Sequence, residues 1–448
     1  MVQSFDTIII GGGNAGFGAS AILHEAGRNI AFVEERDFGG TCPNRGCTPK
    51  KVLVAAAQAM HGIERAPVHG IEVGKARLDW ARLIDRKHDL ISDIPGAMLE
   101  TAEKRGTVFR GKATFAGPDR IRVDGRTIAA DNIVIATGSK PRPLPIPGAE
   151  HMITSDEVLT ERDLPGEVIF IGGGVIAMEF AHVYARAGAK VTILEATPRL
   201  LPAMDADAVA ILHRETERLG VTVETGVEVK EITRAGDGLS VAYERDGNEH
   251  ALRADRVVNG AGRIANVGEL DLDAADIAHD EIRIDVDDFL RSTSNPSVWV
   301  AGDSLVGSAQ LSPLATYEGR IVGQNIVHGP VRKPDYTVIP SAVYTVPALS
   351  AVGLTEAEAG AAGIKVKAKT VDMTDWLAAR THAETVAWSK VLVEEKSDRI
   401  VGAHMIGHHG EDLIHLFALA MRHGITATEL QETLFAFPTF SADLKSVF

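Results

Sequence analysis

Hydrophobic and polar positions along the chain alternate between short apolar runs, glycine-rich turns and helical stretches, which predicts an α/β fold. Thr7 to Ile10 is a β-branched apolar run that enters Gly11, Gly12, Gly13, Asn14, Ala15 and Gly16, and reads as strand, tight turn and helix. The helix is expected to end near Gly27, and a second strand, Asn29 to Val33, ends on Glu34. The same order returns later. Val168 to Ile171 leads into Gly172, Gly173, Gly174, Val175, Ile176 and Ala177, and Val191 to Leu194 ends on Glu195. Gly11 and Gly172 share with Glu34 and Glu195 one offset of 161 residues, so a whole β-α-β unit recurs.

Between and beyond these units the pattern is coarser. Val52 to Ala66 predicts an Ala-rich helix, and Asp79 to Arg105 an amphipathic one. Asn132 to Gly138 is a buried strand closing in a small-residue turn, and the proline-rich Pro141 to Gly148 marks a domain boundary. Arg256 to Arg263 is expected to give another strand and a Gly-rich turn, and Ser297 to Ala301 a further strand. Ser312 followed by Pro313 predicts a helix start with Ser312 at the N-cap and proline at N1. From Ile339 onward the character changes, with a strand at Lys390 to Val393 and a helix at Glu411 to Arg422.

The 448 residues suffice for about two to four domains. A formal charge of −15 argues against non-specific binding to nucleic acid or to anionic membranes, both of which need basic surface, and points to a small-molecule partner. No apolar run is long enough for a membrane span, and the opening MVQSFD lacks the regions of a signal peptide, so a cytoplasmic protein is expected.

The glycines carry chemistry. In Gly11, Gly13 and Gly16 the first makes the turn, the second lets a pyrophosphate approach the backbone, and the third allows close helix packing. Glu34 then stands where a carboxylate accepts hydrogen bonds from the ribose of an adenosine. Gly172, Gly174 and Glu195 repeat the arrangement, so two dinucleotide sites are predicted. The only two cysteines, Cys42 and Cys47, lie four residues apart in GGTCPNRGCTPKK. Two are too few for a disulfide scaffold, and a zinc site needs about four ligands, so no metal site is expected and redox chemistry is. If the segment opens a helix, its N-terminus and the nearby Lys50 and Lys51 stabilise a thiolate.

GGTC, NRGC and PKK, with the paired glycine units, resemble the pyridine nucleotide-disulfide oxidoreductases, which include glutathione reductase, dihydrolipoamide dehydrogenase and mercuric reductase. The resemblance implies two Rossmann-like domains, for FAD and NAD(P), and a C-terminal α+β dimerisation domain: residues 1–148 and 266–330 for FAD, 149–265 for NAD(P), and 335–448 for dimerisation. It implies FAD and NADH, with NADPH an alternative, and a homodimer. Cys42 would be the interchange thiol and Cys47 the charge-transfer thiolate against the flavin, with Lys50 or Lys51 near the flavin N5 and Glu179 paired with that lysine. Cofactor contacts would come from Gly11, Gly13, Asn14, Ala15, Gly16, Glu34, Thr41 and Lys51. Ala113 would receive the adenine through its backbone, and Thr137 and Gly138 form the ATG segment. Gly172, Gly174, Glu195 and Gly262 would serve the nicotinamide nucleotide. Asp303 would bind the ribityl chain, and the helix opened by Ser312 would face the flavin pyrimidine edge.

Two family features are missing. Where related disulfide reductases place His-Pro-Thr and a later Glu, this chain has Phe437, Pro438, Thr439 and Ala442. The closing Ser446, Val447 and Phe448 hold no cysteine pair of the mercuric reductase kind. His404, His408, His409 and His415 lie nearby in sequence as candidate substitutes for the missing acid, but are expected to be surface or loop residues. The expected function is therefore transfer of electrons from NAD(P)H through FAD and the Cys42–Cys47 pair to a disulfide-type or other small acceptor. The alternatives are a reductase of quinones, metal ions or oxygen, and a redox sensor acting on a protein partner.

Overall fold

A computed structural model describes residues 2–280 and 282–448. The chain divides into two compact units. One comprises the residues up to Lys50, Asp85–Arg142 and Arg263–Asp335; the other comprises Lys51–Ile84, Pro143–Gly262 and Tyr336–Phe448. Among the described residues no helix is long and apolar enough to cross a membrane.

In the first unit, parallel strands Thr107–Arg110, Ile30–Glu34, Gln3–Ile10 and Arg126–Ile135 lie side by side in that order. Val298–Val300 extends the parallel set along the last of them, and Arg120–Val123 and Thr114–Gly117 continue it antiparallel. The central strands are apolar on both faces, as a doubly covered sheet requires, and Ile8, Ile9, Ile133 and Val134 are fully buried. Helices Asn14–Glu25 and Ser312–His328 pack so closely that a Cβ on Gly319 would stand 2.0 Å from the Ala15 carbonyl oxygen, and one on Gly18 2.4 Å from that of Thr316. Glycine is demanded at both positions. This contact brings the start of the second helix to the glycine turn that opens the first. The amphipathic stretch Asp79 to Arg105 proves to be two helices, Trp80–Ile91 and Ile94–Arg105, because Pro95 suits a helix start and not an interior.

In the second unit, parallel strands Thr222–Thr225, Lys190–Glu195, Glu167–Ile171 and Arg256–Asn259 form one sheet. An antiparallel meander, Glu228–Ala235, Gly238–Arg245 and Asn248–Ala254, forms a second. The C-terminal region supplies a five-stranded antiparallel sheet, ordered Ser341–Val343, Leu349–Gly353, Ile400–Gly407, Ala387–Glu394 and Val366–Asp372, with helix Gly410–His423 beside it. Trp80 stacks on Tyr184 with ring centroids 5.0 Å apart and donates its indole N–H to the Glu161 carbonyl at 2.9 Å.

Lys390 is an interior cation of this unit. Its side chain is 4% exposed, and Nζ lies 3.0 Å from Asp205, 2.6 Å from Asp207 and 3.3 Å from Glu356. Burial pushes the Lys390 ammonium down, but the hydrogen bonds it donates to Asp207 and Asp205 more than offset this and its pKa is raised. Burial likewise pushes Asp205 up, and Lys390 with the Ala208 N–H brings it below the usual range. The depressed carboxyl stabilises above its unfolded pKa and loses that contribution as pH falls through the folded value; the raised ammonium does so as pH rises past the ordinary lysine range. The cluster therefore holds across neutral pH. Lys390→Met is expected to destabilise the protein by about 3 kcal/mol, because Asp205 is left buried with only the Asp207 and Ala208 N–H groups to hold its charge. Urea denaturation at pH 7 checks this, and a loss below about 1 kcal/mol, typical of an exposed pair, would contradict it.

Candidate active site

The first glycine turn is shaped by close approach. Gly11 has φ 110°, and a Cβ there would stand 2.1 Å from the Ala136 carbonyl oxygen. Gly16 is equally confined, 2.2 Å from the Gly11 oxygen. Gly13 differs: its Cβ would meet nothing nearer than the Gly40 Cα at 3.7 Å, so no protein atom demands glycine there. The space left open is the one a pyrophosphate needs to reach the backbone. Glu34 accepts from the Gly12 and Arg36 N–H groups, both at 2.7 Å, and its two oxygens keep lone pairs for ribose hydroxyls. These residues fit the adenosine diphosphate half of FAD.

Toward the other end of the same sheet, Asp303 accepts from the Ser139 hydroxyl at 2.8 Å. Arg263 holds Ser139 in turn, through Nε to the hydroxyl at 2.9 Å and Nη2 to the carbonyl at 2.6 Å. Burial pushes the Asp303 carboxyl up, against Ser139 and Arg263. Ser304 donates or accepts at Thr137 Oγ1 (3.2 Å) and accepts from the Gly138 N–H at 2.9 Å. Ser139, Arg263 and Ser304 escaped sequence reasoning; their only signal was being small or polar beside the ATG and AGD segments. Ala113 is buried just after Gly111, whose N–H donates to the Glu34 carbonyl at 2.9 Å.

The cysteine segment is locked to the glycine turn. Gly40, at φ 67°, lies so close that a Cβ would be 2.7 Å from the Gly13 Cα. Thr41–Arg45 forms a short helix, braced by Asn44 Nδ2 donating to the Phe38 and Gly40 carbonyls at 3.0 Å. Cys47 then opens a 19-residue helix, Cys47–Arg65, which places it in the favourable field of a helix N-terminus. The structure holds Cys42 and Cys47 as the reduced pair, with no disulfide between them. A hydrogen bond from Cys47, helped against burial by one from Ser312 and by the charge of Lys50, holds Cys42 down at about 6. The same hydrogen bond pushes Cys47 up, since ionising it would remove the donor. Such a pair carries a single shared negative charge at neutral pH, and the protein's own groups place that charge chiefly on Cys42.

Ser312 is not an N-cap. Leu311 takes that position, Ser312 is the first helical residue, and proline follows it. The hydroxyl is spent elsewhere: Asn14 Nδ2 donates to Ser312 Oγ and to its carbonyl at 3.3 Å, and Ser312 serves Cys42. Asn14, Ser312, Cys42, Cys47 and Lys50 thus converge.

The second unit repeats the turn. Gly172, at φ 99°, would put a Cβ 2.6 Å from the Gly260 carbonyl, whereas Gly174 would meet that oxygen only at 3.4 Å and leaves the approach open. Glu195 is buried and accepts from the Gly173 N–H at 2.5 Å and the Thr197 N–H at 2.7 Å. Close packing falls on Gly260; a Cβ on Gly262, at φ 93°, would meet nothing within 4 Å. This unit fits the adenosine end of a nicotinamide nucleotide. Glu179 is 4% exposed and accepts from the Tyr344 N–H at 2.8 Å. Lys51 Nζ lies 3.8 Å from the centroid of the Tyr344 ring, so Tyr344, invisible to motif reading, gathers both residues.

The C-terminal histidines correct one expectation. His404 lies on strand Ile400–Gly407 and is 2% exposed, and His408 is fully buried; only His409 and His415 are exposed. Burial holds His404 below the ordinary range and, with His409 and His382, pulls His408 to about 4. Both are neutral at pH 7 because their strand and loop face the core of the C-terminal sheet. Phe437 is 75% exposed. Among the described residues no group of three or more acids, histidines or cysteines is placed to hold a metal ion.

Two nucleotide turns, one of them carrying a dithiol, define a flavin- and nicotinamide-linked oxidoreductase. Residues 5–319 match the pyridine nucleotide-disulphide oxidoreductase family and residues 339–447 its dimerisation domain, and the chain belongs to that family. Its members are FAD-dependent enzymes that use NAD(P)H. The chain is 32% identical to a glutathione reductase of Burkholderia cepacia, covering 98% of this chain and 97% of that one. It is 31% identical to a dihydrolipoyl dehydrogenase of Chlamydia muridarum, covering 98% and 95%. Among solved structures, a Cu(II) complex of the HOCl-induced flavoprotein disulfide reductase RclA from Escherichia coli superposes with a TM-score of 0.88 at 27% identity, covering 100% of this chain and 99% of that one.

Proposed function

We propose that this enzyme passes electrons from a nicotinamide nucleotide, bound at the Gly172 unit, through Cys42 and Cys47 to a small acceptor, as a homodimer formed through residues 335–448. FAD would occupy residues 1–148 and 266–330, and the nucleotide 149–265. The observation that carries this reading is the dithiol: one sulfur is held ionised near neutral pH, on a segment packed against a nucleotide turn. Bound FAD would supply two-electron exchange between nicotinamide and sulfur. The chain's own contribution is to keep Cys42 nucleophilic through Cys47, Ser312 and Lys50, and to brace Asp303, Thr137 and Gly138 as cofactor contacts. Cys47 would be the sulfur facing the flavin.

The acceptor is expected to be one that needs no acid at position 437. No imidazole stands there, and His404 and His408 are neutral, so a thiol leaving group would have to find its proton elsewhere. A metal ion or quinone escapes this demand. The Cu(II) complex of the RclA relative favours a redox-active metal ion. Sustained NADH oxidation with Cu(II) or a quinone, exceeding that with glutathione disulfide or lipoamide, is expected in an acceptor panel. One turnover followed by arrest with every acceptor would favour a redox sensor instead.

NADH is expected to surpass NADPH in kcat/KM by about 10-fold or more, because the buried Glu195 carboxylate favours ribose hydroxyls and repels a 2′-phosphate. Steady-state kinetics with both nucleotides checks this, and an NADPH preference would show that Glu195 does not face the ribose.

A further inference from the structure

The two glycine units correspond at an offset of 161 residues through the turn and the acid, and the loop after the acid is one residue longer in the second. In the first, Gly11 donates to the Val33 carbonyl at 2.8 Å, and Gly12 and Arg36 donate to Glu34. In the second, Gly172 donates to the Leu194 carbonyl at 2.8 Å, and Gly173 and Thr197 donate to Glu195. The loop after each acid then folds back onto the turn, Gly39 N–H to the Gly12 carbonyl at 2.7 Å and Leu201 N–H to the Gly173 carbonyl at 3.1 Å. An apolar side chain closes over the turn in both: a Cβ on Gly12 would stand 2.6 Å from Phe38, and one on Gly173 2.4 Å from Leu200.

The returning residue is glycine in the first unit, at φ 97°, and leucine in the second, at φ 45°. A leucine in the left-handed region is sterically strained and persists only if its surroundings hold it there. Arg199 supplies the hold. Its Nη1 donates to the carbonyls of Leu201 at 3.3 Å and Met204 at 3.0 Å, and its Nη2 to that of Pro202 at 2.5 Å. Thr197 Oγ1 donates to the Arg199 carbonyl at 2.7 Å, and Met204 N–H to that of Leu201 at 2.9 Å, which completes a loop closed on itself.

We propose that Arg199 is a positioning and specificity-determining residue for the nicotinamide nucleotide. Its guanidinium pins the loop of residues 197–204, so that Leu200 and Leu201 sit on Gly173 and Thr197 stays against Glu195. With three of its five N–H donors given to carbonyls of its own loop, Arg199 serves that loop rather than a 2′-phosphate, although its place four residues after Glu195 suggests a counter-ion. The ribose end then meets the Glu195 carboxylate unopposed. The proposal rests on the reading that the Gly172 unit binds the nucleotide.

The test is calorimetric binding of NAD+ and NADP+ to the FAD-loaded protein, with NADH kinetics alongside. The variants are Arg199→Ala, Arg199→Lys and the double variant Arg199→Ala with Leu201→Gly. Arg199→Ala is expected to weaken NAD+ by about 10-fold, or about 1.4 kcal/mol, raising KM for NADH with little change in kcat. Arg199→Lys should behave alike, since an ammonium does not reproduce the planar fork. Leu201→Gly should recover most of the loss, because glycine adopts the left-handed turn without a hold. Selective loss of NADP+ binding in Arg199→Ala would make Arg199 a phosphate ligand and overturn the proposal. Unchanged affinities, or no recovery in the double variant, would overturn it as well. A wild-type protein binding neither nucleotide would remove the underlying reading together with the proposal, and is told apart because no variant enters that comparison.

Discussion

Cys42→Ser is expected to abolish transfer to sulfur-dependent acceptors, by a factor on the order of 1,000 or more, while leaving the nicotinamide-to-flavin step intact. The basis is nucleophilicity: Cys42 is the sulfur that Cys47, Ser312 and Lys50 hold near 6, and a serine hydroxyl in its place stays protonated. Alkylation of Cys42 by iodoacetamide should therefore rise with pH through about 6 and level off above 7. In Cys47→Ser the hydroxyl can still donate, so Cys42 is expected to remain reactive while electrons no longer reach it as half of a disulfide. With FAD bound beside Cys47 the shared charge would be drawn from Cys42 onto Cys47, so the long-wavelength charge-transfer absorbance expected on adding stoichiometric NADH should vanish in Cys47→Ser and persist in Cys42→Ser. The reverse pattern would exchange the two roles. An alkylation midpoint above 8 in the wild type would show that the shared hydrogen bond does not govern the pair.

Restoring an acid should matter almost as much. The double substitution Phe437→His with Ala442→Glu is expected to raise glutathione disulfide or lipoamide turnover by about 100-fold or more, the usual contribution of a general acid, and to leave quinone or Cu(II) turnover unchanged. Phe437 is 75% exposed, so the new imidazole displaces no core packing. Position 442 is partly buried within the short 3₁₀ segment Phe440–Ser446, where its N–H donates to the capping Thr439 hydroxyl. Thiolate attack needs no proton, but departure of the product thiol does, and an acceptor without a sulfur leaving group bypasses that step. Rapid disulfide turnover by the unmodified enzyme, at hundreds per second, would show that another residue supplies the proton.

The parts of the site that were legible in sequence are those where backbone geometry forbids alternatives. Gly11, Gly16 and Gly172 must be glycine because carbonyl oxygens stand within 2.6 Å of where a Cβ would lie, and the paired acids follow from strand length. The family resemblance, carried by the cysteine segment, was legible for the same kind of reason. Residues joined only through the fold were not. Ser304, Arg263 and Tyr344 act across about 120 to 290 residues of chain, from Thr137, Ser139 and Lys51, and nothing local marks them. Ser312 was misread as a cap because Ser-Pro is a helix-start signal, while its hydroxyl was claimed by Asn14 and Cys42. His404 and His408 looked like loop histidines, but the first alternates into the core of a strand and the second follows it inward.

The central claim is that electrons from NADH reach Cys42 and Cys47. The most direct measurement is anaerobic titration of the oxidised, FAD-loaded protein with NADH, followed by rapid alkylation and mass spectrometry of the peptide bearing both cysteines. The expected result is that Cys42 and Cys47 are unreactive before NADH and both alkylated after it. Bleaching of the flavin with the two cysteines still joined, or the two found as free thiols in the air-oxidised protein, would contradict it.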